Sequence, residues 1–301
     1  MSKIGVVCKL FFGFIVFCLL QICYVQPGLA TEGGGGAYPN GAEDFMAGAV
    51  PPPGTYLVNY FTYYSADRLN DKSGDSSVPG FKLNVTGNVM RMIHVTNKTL
   101  LGASWAMHAF VPIINVDVTT PAGNNDKLGF GDIIIDPIIL AWHSKNLHVA
   151  AGVDVFIPTG AYNSTRMANV GRNYWTFEPV VGVTYLSDNG IDLSLKLMYD
   201  INTINTATDY TSGNEFHMDF SVGKKFDALT VGAGGYLYQQ VTNDKQHGAT
   251  ISNSKGSAVA IGPQLKYDYK NMSFTLKYIM DVDSSNRPEG NNFWFKTSYA
   301  F

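Results

Sequence analysis

Glu215, His217 and Asp219 stand at i, i+2 and i+4, which on a strand puts three acid–base side chains on one face. Carboxylates flanking an imidazole could relay protons, as a hydrolase carried on a barrel would require. Two other pairings fail on geometry. His143 and Ser144 are adjacent, and Ser212 and His217 are five apart, so in a regular strand each pair points to opposite faces. No serine nucleophile is assembled and no catalytic residue is assigned.

The same alternation marks a wider polar set. One face of the segment from Ile191 carries Ile191, Leu193, Leu195, Leu197 and Tyr199, and the other carries Asp192, Ser194, Lys196, Met198 and Asp200. The segment from Met272 opposes Phe274, Leu276, Tyr278 and Met280 to Ser273, Thr275, Lys277, Ile279 and Asp281. The polar faces supply the candidate lining of an interior passage: Glu178, Asp192, Lys196, Asp200, Glu215, His217, Asp219 and Lys277, with Lys266, Asp268, Asp281 and Lys296 as further members. Their mixed signs argue against a strong ion-selective ring of one charge. They fit a lumen cross-linked by charge pairs, or a route for neutral and amphipathic solutes.

The elements that must position these residues are strands. Segments at 55–66, 81–93, 99–110, 130–143, 147–157, 174–186, 191–201, 215–226, 228–241, 257–269, 272–283 and 292–301 read as β, separated by Asn/Asp/Gly/Ser clusters. That is about twelve, an even number, as bacterial single-chain barrels use. Long polar connections at 67–79, 115–127, 162–172, 202–214, 242–256 and 284–291 each follow an odd-numbered strand. Short turns at 144–146 and 187–190 lie at the opposite end. Prolines within strands (Pro137, Pro179, Pro263) predict kinks or bulges, because proline lacks a ladder donor.

Both chain ends point to the outer membrane. Phe301, Tyr299, Thr297, Phe295 and Phe293 share one face of the last strand, the pattern that resembles the terminal signal read by the barrel assembly machinery. Tyrosines gather at strand ends, as interfacial girdles do. Lys3, Lys9, an apolar run from Leu10 to Leu20 and Gly28-Leu29-Ala30 read as a signal peptide over residues 1–30, cleaved after Ala30. The run is too short for a spanning helix, which needs about 20 apolar residues. Cys8, Cys18 and Cys23 all lie in this leader, which excludes disulfides, cysteine-ligated metals and thiol chemistry from the mature chain. Without Lys3 and Lys9, 19 basic and 24 acidic side chains remain and no basic patch forms, so no nucleic acid is expected as a partner. The run Asp281-Val-Asp-Ser-Ser-Asn lacks the glycine and distal glutamate of a calcium loop. No metal and no cofactor are read from the sequence.

Residues 31–54 differ in kind. Four glycines lead, Pro51–Pro53 impose extended geometry, and Phe45 and Met46 sit between them. This segment reads either as a disordered periplasmic tail or as a small hatch in the mouth of a barrel spanning 55–301, with Phe45 and Met46 as its apolar plug contacts.

Ordered blocks across the mature chain then resemble one family. They begin with Tyr38-Pro-Asn-Gly-Ala-Glu-Asp-Phe-Met-Ala-Gly, Pro51-Pro-Pro-Gly-Thr-Tyr and Tyr63-Tyr64. Phe130-Gly-Asp-Ile, Asp154 with Pro158-Thr-Gly-Ala-Tyr, and Gly171-Arg-Asn-Tyr-Trp-Thr-Phe-Glu-Pro follow. Thr208-Asp-Tyr-Thr-Ser-Gly-Asn-Glu-Phe-His and Asn286-Arg-Pro-Glu-Gly complete the set. The chain is similar to the phenol meta-pathway degradation family. The resemblance implies a transporter-like outer-membrane barrel, related in architecture to fatty-acid and toluene channels, and transfers no functional residue. The expectation is therefore an all-β, transmembrane antiparallel barrel in the outer membrane of a Gram-negative bacterium. It would be a passive channel for small hydrophobic or aromatic molecules, with small apolar solutes, outer-membrane lipid, lipopolysaccharide and, through Phe301, the assembly machinery as partners. A barrel-borne hydrolase or a non-transporting surface or adhesion barrel is the alternative.

Overall fold

The computed structural model describes residues 30–301; the expected signal peptide otherwise lies outside the described residues. The ladder runs β1 (Gly54–Leu69), β2 (Lys82–Leu100), β3 (Ala103–Thr120), β4 (Gly123–Phe130), β5 (Ile133–His143), β6 (Leu147–Ile157), β7 (Thr176–Leu186) and β8 (Ile191–Asn202). It continues through β9 (Tyr210–Thr211), β10 (Glu215–Phe226), β11 (Leu229–Gln240), β12 (Lys245–Gln246), β13 (Ala249–Thr250), β14 (Ser257–Tyr269), β15 (Met272–Ser285) and β16 (Pro288–Ala300). Among the described residues no helix is long and apolar enough to cross a membrane. The three short strands β9, β12 and β13 form a separate sheet in the loops.

The main sheet is antiparallel and closes on itself. β1 pairs with β16 from Tyr56↔Ala300 onward, and the β2–β3 ladder completes the ring. β4 pairs with the outer half of β3 and β5 with the inner half, so the two occupy one position and the barrel has twelve strands. Closure leaves no open edge around the twelve-strand ring (only the projecting β4 is paired on one side), which is what lets strands cross lipid with their backbone groups satisfied.

Burial alternates residue by residue. In β8, Asp192, Ser194, Lys196, Met198 and Asp200 are buried, while Leu193 and Ile201 are exposed outward. In β10, Glu215, His217, Asp219 and Ser221 are buried and Val222 faces out. A soluble sandwich would bury the apolar face; here the charged face is inside. The outward apolar face is the band that lipid requires. Phe293, Tyr299 and Phe301 are exposed on it, while Trp294 is buried inward beneath Lys277.

Several boundaries differ from the sequence expectation. The strands expected at 81–93 and 99–110 run on to Leu100 and Thr120, with the turn at Leu101-Gly102, both of positive φ. That two-residue geometry matches the right-handed twist of a hairpin. The expected loop at 115–127 is instead the β3–β4 hairpin, because Val116 and Val118 keep the alternation going among polar neighbours. The connection expected at 284–291 shrinks to Asn286-Arg287, with Asn286 at φ 52. Of the prolines, Pro137 lies within a bulge: the β5 register shifts against β3 and against β6 across it. At Pro179 and Pro263 bridges are missing from the β7–β8 and β14–β15 ladders, but the register on either side is unchanged.

At the long-loop end, Asp244 ties two loops together. Its carboxylate accepts from the Tyr210 hydroxyl at 2.6 Å, Gly213 N–H at 2.6 Å and Gln240 Nε2 at 2.7 Å. Replacing Asp244 with alanine should strand these buried donors, making local opening easier by about 2–3 kcal/mol. Faster protease cleavage within residues 203–214 would show it. Burial pushes the Asp244 carboxyl above its ordinary value, against the pull of the Tyr210 and Gly213 donors. A carboxyl raised on folding binds its proton better in the closed loops. Its charged form therefore weakens closure above the raised value, and acidification toward about pH 4 should slow the same cleavage.

Candidate functional site: a polar lumen threaded by its own N-terminal segment

The segment before β1 runs through the barrel from end to end. Ala30 N–H donates to Asn286 O at 3.0 Å, and the Glu32 carboxylate accepts from Asn205 Nδ2 at 2.7 Å and the Tyr162 hydroxyl at 3.2 Å, all at the long-loop end. By Gly54 the chain has reached the short-turn end, where β1 begins opposite Val95.

Two charged wall residues hold the middle of the segment. Asp219 on β10 accepts from the Tyr38 hydroxyl at 2.6 Å and from the N–H groups of Gly41 and Glu43, each at 3.0 Å. Lys277 on β15 donates to the carbonyls of Gly41, Ala42 and Glu43 at 2.7, 2.8 and 3.1 Å. A carboxylate thus gathers the segment's donors and an ammonium gathers its acceptors, so one tight turn has its backbone satisfied from both sides.

The segment's own charges meet cations from other strands. Asp44 lies 2.6 Å from Lys296 and 3.8 Å from Lys277. Glu43 lies 3.4 Å from Arg91 and 4.0 Å from Lys196. Lys196 also lies 3.8 Å from Asp154 and 4.9 Å from the centre of the Tyr38 ring. Arg91 and His108 are 2.8 Å apart, and His108 Nε2 is 2.7 Å from Asp154. Lower down, Ser194 bridges Asp192 at 2.6 Å and Thr184 at 2.8 Å and accepts from Met46 N–H at 2.8 Å. Thr184 accepts from Gly48 N–H at 2.9 Å.

Apolar anchoring comes from Tyr38 and Ala42, buried in a cluster with Tyr60, Met198, Tyr236 and Ile279, from Val50 against the cluster of Val95 and Ala106, and from Phe45. Phe45 is buried against Gly223 and Gly232, and a Cβ at Gly223 would run into its ring. These two glycines face each other across the β10–β11 ladder and make a notch one ring deep. Met46 has a left-handed backbone (φ 65) and stays 39% exposed, so its side chain seals nothing by burial. Gly48 and Gly182 bring the two backbones into contact; a Cβ on Gly48 would lie 2.7 Å from Gly182 O.

The lining expected from sequence is distributed over this system. Asp219, Lys277, Lys196 and, through Ser194, Asp192 face the segment. Glu178, Asp200, Glu215 and His217 are buried together farther toward the long loops, where His217 meets Asn40 and Glu215 abuts Gly36 of the same segment. Glu215, His217 and Asp219 do share a face, but they do not act as one row. His217 Nε2 approaches Asp200 at 3.3 Å and Glu215 at 3.7 Å, whereas Asp219 is occupied by the segment. Sequence reasoning missed Asn40, Glu43, Asp44, Arg91, His108 and the Gly223–Gly232 notch. Arg91, alone among apolar neighbours on its strand face, was the one visible signal.

The family model described as "Putative MetA-pathway of phenol degradation" matches residues 66–297. No curated protein matches the chain. Among solved structures, an outer membrane channel from Pseudomonas putida F1 is similar with a TM-score of 0.76 at 16% identity, over 85% of this chain and 98% of that one. The β domain of the Bordetella autotransporter BrkA follows with a TM-score of 0.50 at 12% identity, over 83% of this chain and 100% of that one. The fold is that of an outer-membrane β-barrel.

Proposed function

The chain belongs to the "Putative MetA-pathway of phenol degradation" family, and from that premise we propose that it is a passive outer-membrane channel for small hydrophobic or aromatic molecules. The observation that carries the reading is the manner in which residues 30–53 are held. Tyr38, Ala42 and Phe45 are buried against the wall, but most of the segment's directed contacts are hydrogen bonds and ion pairs whose groups water can satisfy once the segment leaves. Buried charge pairs return in attraction roughly what their desolvation costs, so such a segment is a hatch that can be displaced.

The P. putida neighbour is itself an outer membrane channel, and the family's description links it to phenol breakdown; both support the reading. Lipid and lipopolysaccharide would contact the outward apolar band, and Phe301, exposed at the end of β16, would serve the assembly machinery. Against hydrolysis stand the burial of the candidate acid–base residues and the occupation of Asp219 by the threaded segment.

Deleting residues 37–50 tests the hatch. Removing them strips the contacts of Asp219 and Lys277 and should raise solute flux into proteoliposomes several-fold. Unchanged flux through a folded barrel would end the hatch reading.

A further inference from the structure

We propose that Asp200, Glu215 and His217 form a binding site for a single divalent transition-metal cation of the zinc class, buried in the barrel. One ligand atom from each lies within 4.8 Å of the others. All three residues are almost fully buried, at 0, 0 and 1% exposure. Both Asp200 carboxylate oxygens, Glu215 Oε2 and His217 Nε2 have no hydrogen-bond partner. Glu178, also fully buried and with neither oxygen partnered, sits across the β7–β8 register from Asp200 as a fourth possible donor. Buried carboxylates without donors are costly, and a cation is the partner that would satisfy several at once.

The imidazole is oriented for this task. His217 Nδ1 is 2.6 Å from Asn40 Oδ1, so Nδ1–H donates to the amide and the Nε2 lone pair faces Asp200 and Glu215. A histidine whose second nitrogen donates to an amide or carbonyl oxygen is the usual arrangement at metal sites. The spacing also fits. Bonds of about 2.0–2.2 Å in a tetrahedral zinc site separate its ligand atoms by roughly 3.4 Å; Nε2 already lies 3.3 Å from Asp200 and 3.7 Å from Glu215. One imidazole nitrogen with carboxylate oxygens selects zinc-class ions over calcium or magnesium, which take oxygen alone.

A second buried cluster, His108, Asp136 and Asp154, supplies the contrast. There Arg91 approaches His108 at 2.8 Å and Lys196 approaches Asp154 at 3.8 Å, so positive charge is already in place. Among the described residues no lysine or arginine nitrogen comes within 4.0 Å of Glu178, Asp200 or Glu215. Arg287, buried on the same side, stacks on the Tyr238 ring at 3.9 Å. Because Asn40 belongs to the threaded segment, a bound cation would also fix the tautomer that holds it and so pin the hatch. Binding itself does not rest on the channel reading, and a barrel that holds zinc but passes no solute would leave this site standing.

The test is zinc content. Full-length protein refolded in chelator, supplied with Zn2+ and desalted, should retain one zinc per barrel by elemental analysis. Cobalt in its place should give the visible absorption of a low-coordinate site with nitrogen and oxygen ligands. His217→Gln should abolish retention and Asn40→Ala should weaken it about 10- to 100-fold, while Asp136→Asn should retain zinc as the wild type does. If His217→Gln does not fold, Glu215→Gln and the wild-type cobalt spectrum decide. No zinc in the wild type, zinc undiminished in folded His217→Gln, or zinc lost in Asp136→Asn would each overturn the assignment. The first of these would make the cluster an imidazolium held between carboxylates.

Discussion

Asp219→Ala should free the threaded segment while leaving the barrel closed. The carboxylate accepts three hydrogen bonds, from the Tyr38 hydroxyl and the Gly41 and Glu43 amides, and among the described residues no other wall residue supplies an acceptor to those donors. Removing one partner of a buried charged network costs about 3–5 kcal/mol, far more than the net value of the bonds themselves. The loss falls on docking, since β10 keeps its ladders to β8 and β11. The expected cysteine-free mature chain makes the readout simple. A reporter cysteine placed at Ala42, which is 8% exposed, should react with a maleimide on the order of a hundredfold faster or more in the Asp219→Ala background, since each 1.4 kcal/mol is a factor of ten. An unchanged rate would mean that the segment is held elsewhere.

Gly223→Val should have an effect of similar size by a steric route. A Cβ at this position has no room beside the Phe45 ring, so valine must expel Phe45 from its notch. Losing a buried phenylalanine costs about 3–5 kcal/mol. Phe45→Ala should cost about the same alone, and the double variant should cost far less than the sum, because the clash with the ring vanishes and only the close contact with Thr230 remains. Such non-additivity is the mark of direct contact. Full additivity in a double-mutant cycle would show that Gly223 acts on the barrel instead.

Much of the barrel was legible because alternation is local. Ile191 to Asp200 displays inside and outside in a run of ten residues, and the terminal aromatic face does so in nine. Boundaries failed where polarity and structure part company. At 115–127 a hairpin standing beyond the apolar band has water available on both faces, so its strands look like loop. The site was half legible for a related reason. Period two shows that Asp219 and Lys277 face inward, but their partner is a segment more than 170 positions away in the chain, and no spacing rule reaches that far. The cluster of Asp200 with Glu215 and His217 depends likewise on the β8–β10 register, which places Glu215 opposite Asp200. Phe45 was singled out by its setting between glycines and prolines, yet its seat, made by the absence of side chains at Gly223 and Gly232, has no apolar signature to find.

The central claim is that small apolar molecules cross this barrel, and solute flux into proteoliposomes tests it most directly. A small aromatic should enter protein-containing vesicles faster than a sugar of similar size, once entry into protein-free vesicles is subtracted. Equal entry of both, or entry of neither through a folded barrel, would contradict a channel for hydrophobic solutes.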